Sequence, residues 1–111
     1  METVSGNWKK NFDFRYLAGE DLVKDVTLTI KSVIKDHVES ARGKDEVLAI
    51  VFEETTKLMA LNKTNSRTIS KVVGSPLVEN WVGRKIVLTQ KHITAFGSEH
   101  DVVRVKLQKV Q

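Results

Sequence analysis

The chain has 111 residues, 41% hydrophobic and 29% charged, with 18 Lys and Arg against 14 Asp and Glu and a formal net charge of +4. This is the composition of one globular domain with a modest core, and it excludes disordered and membrane-spanning classes. With no cysteine there is neither a disulfide framework nor a thiolate metal site, so burial must hold the fold, and a reducing compartment is the better fit.

The N-terminal METVSGNWKKNFDF has no apolar signal-peptide core, and the longest apolar run, Val47 to Phe52, is far short of the roughly 20 residues a membrane helix needs. The expectation is a soluble protein of the cytoplasm with no membrane partner. From Asp25 the residues alternate, Val26, Leu28 and Ile30 against Thr27, Thr29 and Lys31, which is the period of a half-buried strand running to about Ser40. At Ser32-Val33-Ile34 the alternation breaks, and a bulge or bend is expected. The polar cluster Ser40 to Glu46 predicts a turn. A second strand follows over Val47 to Thr55 with Leu48, Ile50 and Phe52 inward, and a third over Lys57 to Leu61.

Next comes LNKTNSRTISKVVG, in which Asn62 or Thr64 can cap a helix. Ile69, Val72 and Val73 fall on one face, Lys63, Arg67 and Lys71 on the other, and Gly74 suits a left-handed stop. Ser75-Pro76 opens a short helical turn through Trp81. Gly83 then releases a fourth strand, Lys85 to Phe96, and after the turn Gly97 to His100 a fifth strand covers Asp101 to Val110. The order β-β-β-α-β-β predicts an all-β, five-stranded, OB-fold-like Greek-key barrel with one helix, in which a bent first strand serves both halves, and the same order also fits a different small α+β sandwich. One domain is expected, with residues 1–24 as an N-terminal arm or strap and 25–110 as the barrel.

The segments LNKTNSRTISKVVGSP, ENWVGRKIVL and AFG resemble a group of small bacteriophage and prophage proteins that share an LNKTN pattern, a Gly after the helix and a Trp-x-Gly-Lys/Arg segment before a strand. The resemblance spans roughly Tyr16 to Lys106. It implies a phage gene product with an OB-like barrel, from a replication or recombination cassette, that binds single-stranded DNA in the cytoplasm of a bacterial host. No functional residue comes with the resemblance, so candidate sites rest on the residues themselves.

A single-strand binder joins a cationic groove for phosphates to exposed rings on which bases stack. The outward sides of the first, fourth and fifth strands carry Lys31, Lys35, Lys91, Arg104 and Lys106, and the turns add Arg42, Lys44 and His100. Charges there are also what any solvated sheet carries. Phe96, beside Gly97, is the best stacking candidate, whereas Phe52 reads as core and Trp81 as packing at the helix-to-strand corner. The outward positions of the second and third strands, Val47, Ala49, Val51 and Ala60, offer no ring. The N-terminal WKKNFDFRY, which interleaves rings with Lys9, Lys10 and Arg15, reads either as a nucleic-acid arm or as a strap burying its rings. The helix stripe of Lys63, Arg67 and Lys71 reads as the wet side of a helix that plugs the barrel away from its groove.

Catalysis finds no pattern. Ser98, His100 and Asp101 have the letters of a triad but sit within one hairpin turn. His37, His92 and His100 lack metal-site spacing. Glu53-Glu54 and Asp45-Glu46 lie in turns, and no phosphate-loop or dinucleotide fingerprint occurs. The expectation is therefore no enzyme, no cofactor and no metal. The partner expected is single-stranded nucleic acid, DNA in preference to RNA, and the alternative is a phage or host protein bound by an assembly barrel. Oligomeric state stays open, a homo-oligomer included.

Overall fold

The structure, a computed structural model, describes residues 16–40, 43–95 and 97–110, with side chains at all of these but 38–40, 44 and 45. Its elements are β1 (Val26–Ser40), β2 (Gly43–Phe52), β3 (Met59–Ala60), α1 (Lys63–Val73), β4 (Lys85–Ala95) and β5 (Ser98–Val105), with single 3-10 turns at Gly19–Asp21 and Val78–Asn80. The order matches the expected one. The five strands form one sheet, β3-β2-β1-β4-β5, whose strand pairs are antiparallel.

β1 changes partner along its length, pairing over Val26 to Thr29 with β4 and from Ile30 onward with β2. The register slips between Ile30 and Ser32, so Lys31 is the extra residue of a bulge slightly ahead of the expected break. The backbone is satisfied from outside at this crossing. Thr29 donates both its N–H and its hydroxyl to the Glu54 carboxylate at 2.7 Å, and Ile30 exchanges backbone bonds with Arg84 and Gly83. The Glu54 carboxyl is held below its usual range, first by the Thr29 N–H and then by the Thr29 hydroxyl.

Several expectations for the strands are corrected. Of the stretch expected to turn between Ser40 and Glu46, Ser40 and Gly43 to Glu46 instead extend the β1–β2 hairpin, whose pairing continues to Ser40 opposite Gly43, and residues 41 and 42 lie outside the described residues. A hairpin arm that runs past the core has no apolar side to fill, so charged residues suit it. Leu48, expected inward, is 43% exposed and lies opposite Lys35 in that arm. Ala49, expected outward, is buried, and it stands between Ile34 of β1 and Ala60 of β3. The third and fifth strands are also shorter than expected, as is the second at its C-terminal end.

The helix follows its sequence signals. The Asn62 side chain accepts from Asn65 N–H at 2.8 Å, and Gly74 closes α1 at φ 85. Ile69 and Val72 are buried, and Ile69 joins Ile30, Ile50, Phe52, Met59, Trp81, Ile86 and Leu88 in the core.

The sheet does not close into the expected barrel, since no strand pairing joins β3 to β5. β3 has only two residues, and two other devices span the seam. Residues 16–19 run as a strap. Leu17 N–H bonds Leu58 O at 2.7 Å on the β3 side, and the chain then crosses to β5. There Gly19 lies so close that a Cβ would stand 2.3 Å from the Asp101 carbonyl, a place only glycine can take. Gln90 holds the Gly19 carbonyl at 2.8 Å. At the other end, Asn65 of α1 reaches across from the helix: its Nδ2 donates to Val103 O at 3.1 Å, and its Oδ1 accepts from Val105 N–H at 3.4 Å. One side-chain amide thus satisfies the donor and acceptor that a neighbouring strand would have met.

Candidate nucleic-acid interface

Alternation along β4 and β5 separates charge by face. Leu88 lies opposite Val105, and on their side follow Gln90, His92 and Thr94 with Val103, Asp101 and Glu99. The opposite side carries Thr89 paired with Arg104, Lys91 with Val102, and Ile93 with His100. Lys106 extends it, its N–H bonding Val87 O at 2.9 Å, and Lys85 begins it opposite Thr29 of β1. One face of the hairpin is therefore basic and the other acidic.

Of the residues expected to bind nucleic acid, Lys91, Arg104 and Lys106 come together on that basic face. Lys106 Nζ sits 3.0 Å from Asp25 Oδ2, both groups half exposed. Asp25 also accepts from the Thr89 hydroxyl at 2.6 Å, and first that bond, then the Lys106 ammonium, holds its carboxyl below the usual range. Arg104 is half buried and donates Nη1 to Val103 O at 3.1 Å. Lys31 and Lys35 are exposed but lie elsewhere. Lys31, at the bulge, borders a groove of about 440 Å³ with Glu53 and Glu54, an acidic setting for a phosphate site. Lys35 projects from the β1–β2 arm, and Lys44 pairs in register with Glu39 farther along it. Arg42 and Phe96 lie outside the described residues, as do Lys9, Lys10 and Arg15. By register the two hairpin tips stand at opposite ends of β1. Sequence reasoning misses Lys85, although the parity it shares with Lys91 is a usable signal.

On the acidic face His92 is clasped by two carboxylates. Its Nδ1 lies 2.8 Å from Asp101 Oδ1 and its Nε2 3.5 Å from Glu99 Oε1. The Asp101 hydrogen bond, then that of Glu99, raises the imidazole above its ordinary value of 6.5. Whatever the clasp adds to the folded state is therefore full below pH 6.5 and is lost as pH rises through the folded value. A proton NMR titration should place the His92 midpoint above 6.5, and Asp101→Asn should bring it down. The letters Ser98, His100 and Asp101 do not converge, because His100 and Asp101 fall on opposite faces. Among the described residues no group of three or more His, Asp or Glu is placed to hold a metal ion.

The seam between β3 and β5 forms a groove of about 270 Å³, with Ala60 and Asn62 on one side, Asp101 and Val103 on the other and Ala18 and Gly19 at its end. Among the described residues no helix is long and apolar enough to cross a membrane. The basic stripe of α1 is exposed along its length, at Lys63, Arg67 and Lys71. No protein-family model, curated protein or solved structure matches the chain.

Proposed function

We propose that the protein is a non-catalytic single-stranded DNA-binding module with an OB-like architecture, belonging to a phage replication or recombination cassette. The observation that carries this reading is the gathering of Lys85, Lys91, Arg104 and Lys106 on one face of the β4–β5 hairpin. OB-like architecture is supported by a bent β1 shared between β2 and β4, by the helix between β3 and β4, and by β3 and β5 standing at the two edges that such a barrel brings together. The Lys106–Asp25 pair does not bar a phosphate. Exposed ion pairs are weakened by water and salt, and a backbone phosphate replaces the carboxylate with a similar partner. Phe96, which follows Ala95 at the end of β4, supplies the ring for one base.

Affinity for a labelled oligo-dT should fall steeply with salt, with log K against log[salt] sloping by about −0.7 per phosphate neutralised. Changing Lys91, Arg104 and Lys106 together to Ala should flatten that slope. Phe96→Ala should weaken binding and leave the slope nearly as it was, because stacking releases no counterions. Alanine at Lys63, Arg67 and Lys71 should leave both quantities unchanged. Absence of binding at low salt would end the DNA reading and leave a protein-binding role as the alternative.

A further inference from the structure

From residue 63 to residue 84 the only acid is Glu79, set against Lys63, Arg67, Lys71 and Arg84, all four exposed. Among the described residues none of these four cations forms an ion pair. This contrasts with Lys106, which the hairpin face pairs with Asp25. Along the chain the stripe is followed directly by a segment rich in exposed aliphatic residues, here called the knob. Gly74 turns the chain so that both its own N–H and that of Ser75 bond Ser70 O, at 2.8 and 3.1 Å.

Ser75 then organises the segment that runs on to Trp81. Its hydroxyl oxygen accepts from Leu77 N–H at 3.1 Å and Asn80 Nδ2 at 2.9 Å, and its carbonyl accepts from the buried Trp81 indole at 2.9 Å. Gly83 N–H ties the far end to Ile30 O at 2.8 Å. On this pinned segment Leu77 is 53% exposed, Val78 38% and Val82 52%. Three of the seven large exposed hydrophobic side chains among the described residues therefore fall within six positions, a concentration that scattered surface residues do not show.

We propose that this surface docks an acidic peptide segment of a partner protein, with carboxylates meeting Lys63, Arg67, Lys71 and Arg84 and aliphatic anchors covering Leu77, Val78 and Val82. Charge complementarity fixes the sign of the partner. The aliphatic character of the knob fixes its kind: bases stack on rings, and the knob offers only branched aliphatic chains, which bury other aliphatic or aromatic side chains. Because the knob is already held by side-chain and backbone bonds, docking orders no loop. None of these seven residues is among those assigned to the β4–β5 face, although Arg84 directly precedes Lys85, so the proposal does not rest on DNA binding.

The test uses the full chain and a fluorescein-labelled pool of 15-residue peptides built from Asp, Glu, Leu, Ile and Phe, followed by anisotropy. One control pool replaces the acids by Ser, and another replaces the apolar residues by Ser. The acidic-apolar pool should bind, with affinity at least tenfold above either control. Leu77→Ser/Val82→Ser and Lys71→Glu/Arg84→Glu should each reduce that binding at least tenfold, while circular dichroism stays that of the parent and oligo-dT affinity is unchanged. The proposal is overturned by no binding of the pool, by equal binding of the pool without apolar residues, or by either variant binding like the parent. It is also overturned if Lys71→Glu/Arg84→Glu abolishes binding of oligo-dT or of vesicles of phosphatidylserine and phosphatidylcholine, which would make the stripe a nucleic-acid or lipid surface.

Discussion

Replacing Asn65 by Ala should destabilise the protein by about 2–5 kcal/mol, because two backbone groups of β5 lose their partners at once. Asn65 is 2% exposed, and its amide is the bond between α1 and the outer edge of β5. Each buried group left unpaired costs about 1–3 kcal/mol, and the open groove beside Asn65 allows water to recover part of that. Urea denaturation monitored by circular dichroism would measure the loss as a lower midpoint at similar slope. Asn62→Ala serves as the reference, since it removes only a helix cap worth about 1 kcal/mol. A loss at Asn65 no larger than at Asn62 would mean that the amide does not join helix to sheet.

Asn65→Asp extends the test through pH. The carboxylate would face the Val103 carbonyl in a buried place, which raises its folded pKa above the unfolded value of about 3.9. Its folded form is then least penalised below that value, and the destabilisation should grow as pH rises through the range between the two pKa values.

What could be read from the sequence was local chemistry. Asn62, Ile69, Val72 and Gly74 act within one helix, and cap, face and stop each depend on neighbours a few residues away. The parity of Lys85 and Lys91, and of Arg104 and Lys106, follows from the two-residue period of a strand. Only the register between β4 and β5, the pairing of Lys85 with β1 and the Lys106 backbone bond to Val87 make these four one surface. The Ser40 to Glu46 stretch misleads because polarity marks a turn only where the strands beside it must stay apolar, and this hairpin arm extends beyond the core. The open seam was illegible for a different reason. Asn65 looks like any polar residue in a first helical turn, and its role arises from Val103 and Val105, 38 and 40 residues away. The Asp25–Lys106 pair spans 81 residues and leaves no local trace either.

Ile69→Ala should cost about 2–5 kcal/mol, whereas Arg67→Ala two positions earlier should change stability by no more than about 0.5 kcal/mol. Ile69 has no exposed surface and contributes to the cluster that holds Met59 of β3 and Trp81 of the segment after α1. Truncation removes three carbon atoms from a site bounded by strands on several sides, where neighbours can collapse only in part, so a cavity term adds to the lost burial. Arg67 is exposed and forms no ion pair among the described residues, so its removal takes away solvent contacts alone. Ile69→Val should fall between, at about 0.5–1.5 kcal/mol. The graded series would be measured by urea denaturation of all three variants. A flat series would mean that α1 is not docked by this face, and the clasp that Asn65 makes on β5 would then lose the packing that positions it.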